Sequence, residues 1–315
     1  MQYRRLGRTG LKVSEISLGS WLTYGNSVAE ETVAKLTQRA FDLGINFLDT
    51  ANVYARGEAE ILLGKALKSH SRDSYVLATK AFWPMGEGPN DRGLSRKHVF
   101  EQVHASLKRL QTDYVDIFYC HRYDPETPVD ETLRTIEDMV RQGKVLYVGV
   151  SEWTASQIQE GLSVADRYLL DRIVVNQPQY NMFNRTIESE IIPLSERNGV
   201  SQVVFSPLAQ GVLTGKYRKG QPLPEGSRAN DSSANAWIFN FLTDTHLDKV
   251  EQLTGIASEL GISLSTLALA WILRQPNVAS ALVGATRIEQ LEENVKASGV
   301  VLPADVVQKL EEILA

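Results

Sequence analysis

Val115-Asp116-Ile117-Phe118-Tyr119-Cys120-His121 is a short apolar run that stops on an imidazole. Two earlier stretches repeat the pattern. Tyr75-Val76-Leu77-Ala78-Thr79 stops at Lys80, and Asn46-Phe47-Leu48 stops at Asp49, with Tyr54 five residues on. Short apolar, β-branched runs bounded by polar residues read as buried strands of a parallel sheet. If these three are neighbours in one sheet, a carboxylate, a phenol, an ammonium and an imidazole meet at one edge. That is the edge where parallel sheets carry their sites.

Working outward, strand-like runs rich in Ile, Val and Leu fall at 15–21, 45–50, 75–80, 115–120, 145–151, 173–179, 201–207 and 279–284. Helical patterns lie between them at 29–43, 58–68, 97–109, 130–142, 155–167, 187–197, 247–260 and 264–274, with a last pair at 287–297 and 304–314. Ser95 and Pro128 are start signals, and Gly44 and Gly143 stand where helices should stop. Eight strands alternating with helices predict an α/β fold, a (β/α)8 barrel of about 250 residues plus insertions. A doubly wound sheet would often carry a glycine-rich first turn, which is absent. Residues 1–12 read as a hairpin plugging the N-terminal end of the barrel. Residues 209–246, rich in Gly, Pro, Ser and Asn, read as a long functional loop after the seventh strand. With no linker or repeat, residues 1–315 are expected to form one domain.

Composition narrows the function classes. A 43% hydrophobic share with 23% charged residues suits a globular protein with a sizeable core. A net charge of −5 gives no footprint for nucleic acid or an anionic membrane, so neither partner is expected. The single cysteine, Cys120, excludes an internal disulfide and fits a reducing compartment. No apolar h-region opens the sequence and no run is long enough to span a bilayer, so a cytoplasmic protein is expected.

Each residue of the constellation has an ordinary reading alone. Asp49 can cap a turn, Tyr54 can be a rim aromatic, Lys80 a solvated strand end and His121 a loop histidine. Four of them at one barrel edge are a less ordinary coincidence. A buried Lys80 keeps its charge only if paired, and Asp49 is the natural partner. An ammonium beside Tyr54 should lower the phenol's pKa and make it a better proton donor, and His121 can orient a carbonyl. Such a set suits proton transfer to an oxygen as a hydride arrives at carbon. Other chemistries fit less well. Cys120 and His121 point to opposite faces of a strand, and the five histidines form no metal-ligand spacing. A Schiff-base role for Lys80 leaves Tyr54 unused.

Five stretches carry a resemblance: 18–21 (LGSW), 47–54 (FLDTANVY), 92–98 (RGLSRKH), 205–211 (FSPLAQG) and 282–286 (LVGAT) followed by 290–294 (QLEEN). Over nearly the whole chain the sequence resembles the aldo-keto reductases, particularly the branch that includes the potassium-channel β subunits. The resemblance implies NADPH-dependent reduction of a small-molecule carbonyl, with Tyr54 as general acid, Lys80 and Asp49 tuning it and His121 orienting substrate. It implies a cofactor site in which Gly19, Ser20, Trp21 and Asp49 border the nicotinamide, Ser151 and Gln177 hold the carboxamide, and Phe205 stacks on the ring. Ser206, Pro207, Leu208, Gln210 and Gly211 would follow the pyrophosphate, with Lys216 and Arg228 supplying positive charge. Gly284, Thr286, Gln290, Glu293 and Asn294 would hold the adenosine end.

NADP is the expected form. Many relatives carry arginine where this chain has Gln290, so Arg287 and Thr286 at the start of the last helix pair are expected to meet the 2′-phosphate. Glu152 replaces an arginine of the channel subunits. Trp21, Tyr54, Trp83 and His121 are expected to touch substrate, and Tyr24, Tyr123 and Trp237 are further candidates for an apolar pocket. Relatives of this branch form tetramers or larger rings, so a homo-oligomer is allowed for. The alternative function is an NADP(H)-sensing regulatory subunit of a channel or other partner, with little turnover. Against it, the channel subunits carry asparagine where this chain has His121.

Overall fold

The computed structural model describes residues 1–232 and 234–315. Two short strands, β1 (Tyr3–Arg5) and β2 (Lys12–Ser14), pair antiparallel as a hairpin. Eight parallel strands then close into a barrel: β3 (Ile16–Gly19), β4 (Phe47–Asp49), β5 (Val76–Ala81), β6 (Val115–Cys120), β7 (Val145–Ser151), β8 (Ile173–Gln177), β9 (Ser201–Val204) and β10 (Val278–Val283). Six helices follow β3 to β8 in turn: α1 (Glu30–Asp42), α2 (Glu58–Leu67), α3 (Arg96–Leu110), α4 (Val129–Arg141), α5 (Ala155–Tyr168) and α6 (Ile191–Asn198). Two more, α7 (Asp244–Glu259) and α8 (Leu264–Leu273), lie between β9 and β10, and α9 (Ile288–Val295) and α10 (Ala304–Leu314) end the chain. The architecture is the (β/α)8 barrel expected from the alternation. Among the described residues no single helix is long and apolar enough to cross a membrane.

The core divides by strand parity. Phe47, Val76, Ala78, Ile117, Tyr119, Val175 and Val203 fill the barrel interior. Their neighbours Leu48, Leu77, Phe118, Cys120, Val148 and Val150 face outward to the helices. Side chains alternate across a strand, so Asp49, Lys80, His121 and Gln177 share the inward parity of Phe47, Ala78, Tyr119 and Val175. Cys120 takes the opposite face and is fully buried. Leu6 and Val13 of the hairpin join the interior cluster and close its lower end.

Local signals behave as their chemistry demands. Ser95 Oγ accepts from the His98 amide at the start of α3, and Gly44 and Gly143 take φ of +82° and +69° just past α1 and α4. Three strands stop two or more residues short of expectation, and the run 173–179 ends at Gln177 because Pro178 follows. The run 15–21 is a strand only over Ile16–Gly19, because the chain turns at Trp21 and Leu22 takes φ +62°. The run 201–207 is a strand only over Ser201–Val204, because Ser206 adopts φ +54° and leaves Phe205 as an isolated bridge to Gln179.

Candidate active site

Asp49 ends β4 at the centre of the upper edge. The chain then runs through Thr50 to Tyr54 and enters α2 by a left-handed run, Ala55, Arg56 and Gly57 at φ +47°, +54° and +96°. Strained backbone of this kind gathers where geometry is over-determined by function. Two amides tie this loop to β5: Thr50 N–H donates to Ala78 O at 3.0 Å and Asn52 N–H to Lys80 O at 3.1 Å. Tyr54 is thereby held above the end of β5.

Lys80 is completely buried. Its ammonium donates to the Asp49 carboxylate, to Thr50 O at 2.8 Å and to the Tyr54 hydroxyl at 3.3 Å. Gln177 Nε2 donates to the other Asp49 oxygen at 2.9 Å. Burial would lower the Lys80 pKa, but Asp49 and Tyr54 outweigh it and hold the ammonium above its ordinary value. Burial pushes the Asp49 carboxyl up against the opposing pull of Lys80 and Gln177. The Tyr54 phenol corrects the sequence expectation. Burial first, together with Asp49, raises its pKa by more than Lys80 and Arg122 lower it, so the net direction is upward. A hydroxyl that accepts from Lys80 and keeps its own proton is a donor aimed elsewhere.

His121 faces Tyr54, with ring centroids 5.7 Å apart at 79°. The imidazole has no hydrogen-bond partner among the described residues, and its Nδ1 is buried. Burial first, then Lys80 and Arg122, hold its pKa well below the ordinary value. The ring is therefore neutral at pH 7, with one N–H donor.

Aromatic residues extend the site on two sides. The Trp83 ring lies 6.3 Å from that of His121, and Trp21 meets Phe205 edge-on at 6.0 Å and Trp237 at 6.4 Å. Two pocket candidates lie elsewhere. Tyr24 is buried in the core outside the barrel wall, because the tight turn after Trp21 brings it back beneath the surface. Tyr123 packs on Trp153 at 5.0 Å and donates to Glu160 on α5, because the strand ends at Cys120 and the chain bends at 121–122 before reaching it. Arg122 was not singled out by sequence, yet it donates to His121 O at 2.5 Å and Ser151 Oγ at 3.4 Å. Its signal was a cation next to the strand-end histidine.

The expected cofactor residues fall in two groups. Ser20 Oγ donates to Thr50 at 2.9 Å and Ser151 Oγ to Gln177 O at 2.9 Å, both beneath the edge, and Gly19 pairs with Asp49 across β3 and β4. After β9, Ser206, Ala209, Gln210 and Gly211 take φ of +54°, +47°, +59° and +99° around buried Pro207 and half-buried Leu208. Gln210 donates to Ser206 Oγ at 2.7 Å and accepts from Arg228 at 2.5 Å. A Cβ on Gly211 would stand 3.5 Å from Lys216 Nζ, so the backbone is open to that ammonium. Lost solvation, then Arg228 and Arg287, depress the Lys216 pKa. Mutually repelling cations beside a turn of this shape fit a phosphorylated ligand.

The second group begins after β10. Gly284, Thr286 and Arg287 are exposed there, and Gln290 accepts from the Thr286 amide at 2.8 Å, bracing the start of α9. Glu293 accepts from Thr266 at 3.0 Å and Lys296 at 2.6 Å, and Asn294 is buried. Glu152 accepts from the Gln179 amide at 2.6 Å and serves the backbone.

A model of the aldo/keto reductase family matches residues 15–315. The chain belongs to the aldo/keto reductase family. This aldo/keto reductase is 47% identical over 319 residues to a probable voltage-gated potassium channel subunit beta of Oryza sativa subsp. japonica, covering 100% of this chain and 97% of the relative. It is 46% identical over 319 residues to a protein of the same description from Arabidopsis thaliana, with the same coverage. A putative voltage-gated potassium channel subunit beta of Schizosaccharomyces pombe is 43% identical over 321 residues, covering 99% and 93%.

Proposed function

We propose that this aldo/keto reductase is an NADPH-dependent enzyme that reduces aldehydes, and ketones of suitable shape, to alcohols. The observation that carries the reading is Lys80, whose buried ammonium joins Asp49 to the Tyr54 hydroxyl while a neutral His121 faces the same phenol. Bound NADPH would supply the hydride that reaches the carbonyl carbon. Tyr54 O–H gives its proton to the carbonyl oxygen, and Lys80 offsets the negative charge that grows on the phenol oxygen. His121 N–H and Trp83 orient the carbonyl, with Trp21 across the cleft. Gln177, held by Asp49, keeps its amide oxygen for a carboxamide beside Ser151, with Gly19, Ser20 and Phe205 bordering the ring.

Ser206, Pro207, Leu208, Gln210, Gly211, Lys216 and Arg228 would take the diphosphate, and Gly284, Thr286, Gln290, Glu293 and Asn294 the adenosine end. Arg287 is the group for a 2′-phosphate, which favours NADP. Residues 1–315 act as one domain in a cytoplasmic protein.

Purified protein should consume NADPH with a reactive aldehyde, followed by loss of reduced-nicotinamide absorbance. Tyr54→Phe should cut kcat by about 10²–10⁴-fold, the usual worth of a positioned acid. Full activity in that variant sinks the mechanism. The relatives named as channel subunits favour a second reading, an NADP(H)-sensing subunit that docks on a channel. Tight NADPH binding without turnover of any aldehyde would select it.

A further inference from the structure

Arg122 is a cation that the proposed reaction does not use. Its two side-chain hydrogen bonds, to His121 O and Ser151 Oγ, both leave from one terminal nitrogen. The Nε–H and the second terminal nitrogen donate to nothing among the described residues, and neither is a fully buried atom. No carboxylate of the described chain lies within ion-pair distance of the guanidinium. Two other arginines beside the barrel strands are committed: Arg72 pairs with Asp116 at 2.6 Å and Arg109 with Glu60 at 2.6 Å.

The position of this uncommitted group is specific. Arg122 Cζ lies 5.6 Å from the Trp83 ring centre, Trp83 lies against His121, and His121 faces Tyr54. The guanidinium also lowers the tendency of both Tyr54 and His121 to carry a proton, so its field reaches the reacting groups. A substrate whose carbonyl rests between Tyr54 and His121 therefore extends toward a flat, half-buried, doubly available donor. Guanidinium donors match a carboxylate bidentately, and partial burial strengthens the contact.

We propose that Arg122 is a specificity-determining residue that selects aldehydes carrying a carboxylate a few bonds from the carbonyl. The inference rests on the reductase reading and narrows its substrate class. A neutral aldehyde gains nothing from Arg122 and leaves it solvated. An anionic one exchanges water for the two free donors while Trp83 packs against its body.

The test compares para-carboxybenzaldehyde with para-tolualdehyde, near-isosteres that differ in charge. Wild-type protein should favour the carboxylate in kcat/KM by about tenfold or more, as expected for one charge-assisted pair. Arg122→Gln should lose about 30-fold on the carboxylate and about threefold on the neutral aldehyde, since Arg122 also braces His121 and Ser151. Arg122→Lys should recover part of the preference, and added salt should erode it in the wild type. A second arm needs no turnover: benzoate and benzyl alcohol are titrated against tryptophan fluorescence, with and without NADP. Benzoate should bind more tightly to wild type than to Arg122→Gln, and benzyl alcohol should distinguish the two far less.

If the neutral aldehyde is reduced but neither arm depends on Arg122, the inference is wrong and the reductase reading stands. If no aldehyde is reduced yet benzoate binding needs Arg122, the reductase reading fails and the carboxylate site survives. Equal losses on both substrates, with unchanged benzoate affinity, reduce Arg122 to a brace and overturn the proposal.

Discussion

At the lower end of the barrel, Leu6 and Val13 are fully buried against Phe47, Val76 and Ile117, and the polar groups nearby are matched. Ser280 Oγ donates to Ser14 O at 2.7 Å, Asn46 accepts from the Ser14 amide at 2.8 Å, and Arg4 donates to Leu273 O and Val278 O at 2.7 Å each. At the upper end the same strands finish in an ion pair with no exposed face, an unpartnered imidazole and a cluster of cations. Left-handed non-glycine residues are concentrated there too: Leu22, Ala55, Arg56, Glu152, Ser206, Ala209 and Gln210. One end is built to close the fold. The other keeps polar groups unmatched, and the packed end helps to hold them in place.

The largest effect that would break this division is at Lys80. Lys80→Met should lower kcat by about 10²–10⁴-fold and destabilise the fold by about 3–5 kcal/mol, because Asp49 is left buried and charged. Adding Asp49→Asn should return most of the stability and none of the activity. Chemical denaturation with parallel kinetics checks both, and a single variant of normal stability would show that the pair is not strongly coupled.

Next in size is the opposite end. Leu6→Ala should cost about 2–5 kcal/mol by leaving a cavity under the barrel while kcat of the folded protein stays at the wild-type value. A fall in kcat without loss of stability would mean that the plug shapes the site.

The smallest effect is a pH dependence from His121. Its folded pKa lies well below the ordinary value, so between the two the unfolded chain binds a proton that the folded chain refuses. Stability is therefore full above about pH 6.5 and falls as pH drops, by at most about 1.4 kcal/mol per pH unit. Denaturant titrations at neutral and mildly acidic pH should show a steeper loss in wild type than in His121→Gln. Parallel losses would mean that the imidazole titrates normally.

The barrel was readable because strand parity and burial are written in the sequence. Apolar runs at 46–48, 75–79 and 115–120 predict strands, and alternation sends Asp49, Lys80 and His121 to one side. What the sequence hid depends on distance and solvent. Nothing in the order of residues tells that burial, with Asp49, outweighs Lys80 at the Tyr54 hydroxyl. Tyr24 and Tyr123 look like pocket aromatics until the turns after Trp21 and His121 direct them outward. The end of β9 is hidden in the sequence because a left-handed serine at 206 has no signature as clear as glycine's. Arg122 carries no signal of this kind, because an unpaired charge is a property of its surroundings.

The barrel is sealed where β3 meets β10, with Ile16, Ser17 and Leu18 beside Ala281, Leu282 and Val283. Ser17 Oγ and Ala281 O, hydrogen-bonded across that seam, are 264 positions apart in sequence. During synthesis the first barrel strand must therefore wait with an open edge until nearly the whole chain has been made. Contacts so distant in sequence are slow to form, and unpaired strand edges invite association with other chains. A nascent chain lacking residues beyond 277 would carry Asp49, Lys80 and His121 but no closed ring to hold them.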